Sequence, residues 1–325
     1  MPPAFERLPA DPSPVHYDLT YNWVSLKETT EFEGAVEVNL VFEKAHEDKE
    51  NTVLRLNSLN LTIISAKLKD EDEKTRDAVK ITMLPLQQEI ELTFPGPTKH
   101  GNTFLTIEFR GRLNEQLAGF YKSKISDTEL MGVTQFEATD ARRAFPCWDE
   151  PARKATFRLK MTAQRDALVL SNTRPKSKTY RTTKWPSGEV REGVTWEFYP
   201  TPKMSTYLLA WVVAPTQYSL DALSAHSTKA PFIETVVYVP KGKLAQAEFA
   251  STVGVAALDY FAELFGLEYP LPLMQHIACP DFAAGAMENF GCITYREARL
   301  LVDAKTTTSS AKRDVARVVC HEVCR

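Results

Sequence analysis

Alternation is the feature that most limits what this 325-residue chain can fold into. Phe32, Val36, Val38, Leu40 and Phe42 are interleaved with Glu33, Glu37, Asn39 and Glu43, the period of a strand with one buried face. The pattern continues in Val53–Leu56, Leu61–Ile64, Ile90–Phe94, Phe104–Phe109, Ala155–Leu159 and Val194–Phe198. Turn residues separate these runs, at Pro95-Gly96-Pro97, Lys99-His100-Gly101-Asn102 and Pro186-Ser187-Gly188. Many short strands with no helical period between them predict a mainly β sandwich or saddle-like sheet domain from residue 1 to 215. The charged run Asp70–Asp77 reads as a solvated loop.

The period changes after Pro215. Phe249, Val253, Ala257, Tyr260, Phe261 and Leu264 recur at helical spacing between Lys243 and Phe265, and Gly266 is the expected C-cap. Tyr269-Pro270-Leu271-Pro272 then leads into a strand at Gln275–Ala278. Thr306–Ser310 can cap a last helix running from about Ala311 to Arg325. Residues 216–325 therefore form a second, α+β domain, in keeping with roughly 100–200 residues per domain.

A net charge of −3 gives no footprint for nucleic acid or an anionic membrane. Five cysteines, odd in number and too sparse for a disulfide framework, point to a reducing, cytoplasmic compartment. The start, Met1–Arg7, has neither the basic nor the apolar region of a signal peptide. The longest apolar run, Tyr207–Ala214, is far short of the roughly 20 residues that span a bilayer. Without secretion, the sequon Asn60-Leu61-Thr62 reads as a strand end.

Three segments carry groups suited to chemistry. In Gly285-Ala286-Met287-Glu288-Asn289, a carboxylate follows two small residues that leave the backbone open. Such a strand edge can pair with an added peptide strand, and Glu288 can pair with its ammonium. The segment Thr134–Pro151 packs charges of both signs among aromatics, which by composition alone reads as a salt-bridged turn. In Val318-Val319-Cys320-His321-Glu322, a His-Glu pair on an apolar helix is the first half of His-Glu-x-x-His. In that motif two imidazoles four apart reach one zinc, and the glutamate handles the proton of the bound water.

Taken together, Thr134–Pro151, Phe282–Glu297 and the strand-rich first two hundred residues resemble the zinc metallo-aminopeptidases of the aminopeptidase N and puromycin-sensitive aminopeptidase family. The resemblance begins near Phe5-Glu6-Arg7 and covers nearly the whole chain. It implies a saddle-like β domain followed by a thermolysin-like zinc peptidase domain, and a parent reaction that releases N-terminal residues from peptides. It implies that Glu137 and Glu288 grip the α-ammonium and that Gln135 lines the first side-chain pocket. Gly285, Ala286, Met287 and Asn289 belong to the same substrate-binding segment. His321 would be the first zinc ligand and Glu322 the general base. The leukotriene hydrolase relatives carry Gln in place of Glu137 and Gly in place of Ala286, so this pair points to a plain peptidase.

The pattern breaks at Arg325, which stands four places after His321 where a second histidine belongs. Arginine keeps its proton and has no lone pair to donate. The third family ligand, a glutamate on a later helix, is not in the sequence. Cys320 and Cys324 flank His321 but read as apolar filler. The expectation is an amino-terminal portion whose thermolysin-like domain is truncated inside the zinc motif, by splicing or an incomplete gene model after Val323. Such a chain would be inactive, and its uncovered apolar surface would favour self-association. The alternative is a non-catalytic protein that binds peptide ends or partner subunits.

Overall fold

The computed structural model describes residues 7–24, 26, 30–45, 50–184, 188–217, 219–227, 229–230 and 232–325. The turn expected at Pro186-Ser187, and the Phe5-Glu6 end of the resemblance, lie outside them. An eight-stranded sheet is built in the order Pro175–Lys184, Val190–Phe198, Thr156–Gln164, Ser13–Val24, Glu31–Phe42, Gly101–Arg112, Thr62–Asp70 and Thr75–Asp77. A four-stranded sheet follows the order Leu168–Ser171, Trp211–Ala214, Leu130–Gln135 and Gly119–Lys124. A smaller one joins Asn51–Asn57, Glu89–Pro95 and Lys80–Leu84.

The alternation seen in the sequence works as a strand period should. Phe32, Val36, Val38, Leu40 and Phe42 are all buried, whereas Glu33 and Asn39 are half-buried and Glu37 is exposed. Tyr21 and Phe32 of the large sheet meet Phe120 and Trp211 of the four-stranded one, with Tyr21–Trp211 ring centroids 5.2 Å apart and Phe32–Phe120 5.3 Å. Interlocked rings at such spacings add to the large apolar area they bury, so this aromatic layer fixes one sheet over the other.

Between Ala214 and Leu220 the chain leaves these sheets for a five-stranded one. Its order is Leu220–His226, Glu234–Pro240, Leu273–Cys279, Cys292–Arg296 and Ala286–Met287, with the three central strands parallel. Parallel neighbours need a crossover, and helix α1 (Glu248–Phe265) provides it between Glu234–Pro240 and Leu273–Cys279. Helix α2 (Ser309–Cys324) packs beside α1. Every residue of Leu273–Cys279 is buried because both faces of its sheet are covered. Ile277, Cys279, Phe282, Met287 and Cys292 join the core of the β sheets. Met274, Ala278, Ile293 and Tyr295 join a second core with the helices.

Two expectations change. Asp70–Asp77 is a tight hairpin whose tip, Glu71–Lys74, is solvated as expected, but Arg76 is buried against the carbonyls of Pro95, Gly96 and Pro97 and pairs with Asp70 at 2.8 Å. Helix α1 begins at Glu248, after a short turn at Leu244–Gln246, and turns a different face inward from the one its large apolar residues suggest. Ala250, Ser251, Gly254, Ala257 and Leu258 are its buried residues, whereas Tyr260 and Leu264 are exposed. The cause is close approach: a Cβ on Gly254 would stand 2.9 Å from Nε2 of His276 in the sheet below. Small side chains let the helix lie that close, and larger ones are turned out. Gly266, at φ 64°, caps the helix as expected.

Candidate functional site

The Gly285–Asn289 segment forms the outer edge of the five-stranded sheet. Ala286 and Met287 pair antiparallel with Tyr295 and Thr294, and among the described residues no strand pairs with their other side. Arg296 holds the approach to this edge, donating to the carbonyls of Phe282 (3.0 Å) and Ala283 (2.5 Å) from its side chain and to Gly285 (3.0 Å) from its amide. Met287 is wholly buried in the core shared with the β sheets, which turns the next side chain, Glu288, toward the opposite side of the strand. Asn289 Nδ2 donates to Thr294 Oγ1 at 3.3 Å.

The turn that follows is clamped from several directions. Gly291 has φ +69°, and a Cβ there would stand 2.0 Å from the carbonyl oxygen of Asn172, so only glycine fits. Asn172 Nδ2 donates to the Phe290 carbonyl at 2.7 Å, and the Gly291 amide donates to the Tyr269 hydroxyl at 2.9 Å. Gln275 Nε2 bridges the carbonyls of Ser171 (2.7 Å) and Gly291 (2.8 Å). Asp281 ties the same region to the strand Gly119–Lys124: its carbonyl accepts from the Tyr121 hydroxyl at 3.0 Å, and its side chain from the Lys124 amide at 2.8 Å. None of Asn172, Asp281, Tyr269 or Gln275 stands out by residue type or spacing. Each acts through a partner distant in the chain.

Gln135 ends the strand Leu130–Gln135, and its Oε1 is buried without a hydrogen-bond partner. Phe136, packed on Trp211 at 5.4 Å, anchors the chain so that Glu137 emerges exposed just beyond it. The rest of the Thr134–Pro151 segment is the salt-bridged turn its composition suggests. Asp149 is buried and accepts from Arg142 at 3.0 Å and from Thr206 at 2.7 Å, and Arg143 pairs with Asp140 at 2.6 Å.

Helix α2 brings the third segment in. Thr308 caps it, its Oγ1 accepting from the Ala311 amide at 3.2 Å. Val315, Val319 and Glu322 form its buried face at spacings of four and three, so Glu322 points inward and His321 faces solvent. Glu322 is 7 % exposed and its Oε2 has no hydrogen-bond partner. Burial pushes its pKa up to about 7; the negative charges of Glu288 and Glu137 push the same way and Arg325 pushes back. The three carboxylates thus act on one region. Arg325 Nη1 lies 3.2 Å from Oε1 of Glu288, which is itself 7 % exposed. Behind them His276 is wholly buried, its Nδ1 3.0 Å from the Tyr295 hydroxyl, and burial lowers its pKa to about 4.

A cavity of about 240 Å³ opens between the end of α1, the end of α2 and the turn after Glu288. Glu268, Glu288, Asn289, Glu322 and Arg325 are among its polar lining, and Leu258, Phe261, Phe265 and Ile293 are among its apolar walls. As a zinc site the donors do not fit. His321 is one possible ligand, the residue one turn on is an arginine already paired with Glu288, and Cys324 Sγ donates to the His321 carbonyl at 3.2 Å. Among the described residues, no group of three or more His, Cys, Asp or Glu side chains is placed to hold a metal ion.

Residues 13–208 match the Peptidase M1 N-terminal domain and residues 249–325 match the Peptidase family M1 domain. The chain is 38% identical over 329 residues to Aminopeptidase 2, mitochondrial, of Saccharomyces cerevisiae, an alignment covering 99% of this chain and 32% of the yeast protein. It is 37% identical to Aminopeptidase M1 of Arabidopsis thaliana, over 98% of this chain and 34% of the plant protein. With Endoplasmic reticulum aminopeptidase 2 of Homo sapiens it shares 35% identity, over 98% of this chain and 32% of the human protein. The chain spans about a third of the length of these curated relatives.

Proposed function

The chain belongs to the M1 peptidase family, and on that premise we propose that it carries the part of an aminopeptidase site that recognises a peptide's free amino end. Residues 1–215 form the β domain in this reading and residues 216–325 a thermolysin-like zinc peptidase portion. The peptide adds a strand along Gly285, Ala286 and Met287. Its ammonium lies between Glu288 and Glu137, Asn289 holds Glu288 in register, and Gln135 lines the pocket for the first side chain. The supporting observation is Glu288 itself, a nearly buried carboxylate at the end of an open strand edge with a guanidinium already beside it. A carboxylate so desolvated needs a cationic partner. A free amino end supplies one, and an internal peptide bond does not.

In the complete family site zinc would supply the Lewis acid, with His321 as a ligand and Glu322 as the proton-handling base. Arg325 cannot take the second ligand's place, so we propose that these 325 residues alone bind peptide ends without cleaving them. Elemental analysis and incubation with an aminoacyl amide test this. Substoichiometric zinc and no cleavage are expected, and one zinc per chain with cleavage would overturn it. The Arg325–Glu288 pair also favours a second reading, a non-catalytic binding protein. Peptide binding that persists in chelator and needs Glu288, with no cleavage gained when the rest of an M1 catalytic domain is appended, would support it.

We place the protein in the cytoplasm, where its five free thiols would stay reduced. Among the described residues no helix is long and apolar enough to cross a membrane. Nucleic acid and membranes are not among the partners we propose. The uncovered side of α1, with Tyr260, Leu264, Phe265 and neighbouring Leu267 exposed, is the surface through which copies would associate.

A further inference from the structure

We propose that the outer strand of the eight-stranded sheet, Pro175–Lys184, is a docking edge for an extended acidic segment of a partner protein, which adds to the sheet as a further strand.

Three observations combine. The first is an open edge. Pro175–Lys184 pairs with Val190–Phe198 on one side, and among the described residues no strand pairs with the other. Its one register shift lies between Pro175 and Ser177, and beyond Ser177 the pairing runs unbroken to Lys184. Proline and bulge, two devices that blunt an edge, are thus confined to its first residues. Nine of its ten residues are exposed, so neither helix nor loop covers it.

The second is charge. The strand holds Lys176, Lys178, Arg181 and Lys184 and no carboxylate, on a chain whose net charge is −3. Among the described residues only Lys176 of these four forms an ion pair, with Glu197 at 3.5 Å. Lys178 Nζ stands 4.5 Å from the Trp196 ring centroid, and Arg181 donates to Thr162 Oγ1 at 2.7 Å. Neither contact supplies a negative charge. The acids of the neighbouring strand, Glu192 and Glu197, are already paired with Arg165 and Lys176.

The third is facing. Lys178, Tyr180, Thr182 and Lys184 alternate onto one side of the sheet, and Tyr180 there is 57 % exposed. A strand added at this edge would set its own alternate residues opposite them, so acids at every second position would meet Lys178 and Lys184. Charge also decides the occupant. A second copy of this edge would set cations against cations, which is unfavourable across strands. The lysines that reject a copy attract an acidic strand, whose main chain then supplies the ladder hydrogen bonds.

Calorimetric titration of the full chain with a heptapeptide alternating glutamate and threonine tests this. The probe is acetylated and amidated, so it offers no free amino end to Glu288. It should bind at least about tenfold tighter than the same peptide with glutamine for glutamate. It should surpass by a similar factor an equally charged peptide with proline at its centre, which lacks a ladder donor. Lys184→Glu should weaken binding about three- to tenfold. Lys80→Glu, the same charge change on an exposed residue of the three-stranded sheet, should alter it less than about twofold. Hydrogen exchange in Pro175–Lys184 should slow when the probe binds. Equal binding of the proline peptide, or unchanged exchange, would overturn strand addition. Equal binding of the glutamine peptide would overturn the acidic selectivity, and equal weakening by Lys80→Glu would overturn the location. An oligothymidylate bound as tightly would assign the edge to nucleic acid and overturn the protein partner. No binding of the acidic peptide would leave the lysines as guards against edge pairing and overturn the whole proposal.

Discussion

The turn from Glu288 to Gly291 and the last turn of α2 border the same cavity but are held in opposite ways. The first is fixed by the side chains of Asn172 at the end of a strand of the four-stranded sheet, Gln275 in the five-stranded sheet and Tyr269 in the loop after α1, and by a glycine that nothing else can replace. The second hangs on one buried face, Val315–Val319–Glu322, and an ion pair from the half-exposed Arg325 to Glu288. A rigid acceptor beside a loosely held helix end is the arrangement expected where recognition is preformed and the opposing wall can yield.

Gly291→Ala should give the largest effect. It meets both a positive φ and a carbonyl 2.0 Å away, so a loss of roughly 3 kcal/mol or more is expected by denaturant titration. A loss below about 1 kcal/mol would mean that the turn is not rigidly clamped.

Next is the layer beneath both regions. His276 is held neutral, its pKa lowered by burial to about 4, so between that value and about 6.5 the unfolded chain binds a proton the native state does not. Its contribution is therefore complete above pH 6.5 and fades as pH falls toward 4, by roughly 3 kcal/mol in all. Stability curves of the native chain and His276→Gln should diverge across this window, the variant losing less. Parallel curves would show that water reaches the imidazole.

The helix cap comes third. Thr308→Ala removes the side-chain acceptor for Ala311 and should cost about 1 kcal/mol. Hydrogen exchange should quicken in Ser309–Cys324 and stay unchanged from Ala286 to Gly291; equal quickening in both would show that the two open as one unit. Smallest of all, Arg325→Gln should alter stability by less than about 1 kcal/mol, since the guanidinium is half exposed and glutamine keeps an amide donor for Glu288. A greater loss would make the pair a structural lock rather than a displaceable contact.

Much of this architecture could be read from the residues alone. The alternation at Phe32–Phe42 marks a strand because a half-buried sheet imposes period two on side-chain polarity. The Thr308 cap and the Gly266 stop of α1 are local signals, legible for the same reason. The inward face of α1 was not legible, since it is selected by the close approach of Gly254 to His276, a contact across 22 positions that size and polarity do not announce. Arg76 in the charged hairpin was hidden likewise, because its carbonyl partners come from a separate strand end. At the site, the resemblance pointed to Gln135, Glu137, Glu288, His321 and Glu322. It could not show that Glu322 points inward while His321 faces water, or that Arg325 reaches back to Glu288.

We propose that recognition of a free amino end resides in this chain independently of a metal. Its most direct test is the affinity, in chelator, of a short peptide with a free amino terminus against the same peptide N-acetylated, on the native chain and on Glu288→Gln. The free peptide should bind, the acetylated one at least about tenfold more weakly, and the variant should lose that difference. Equal affinity for the two peptides on the native chain, or a preference that survives Glu288→Gln, would contradict it.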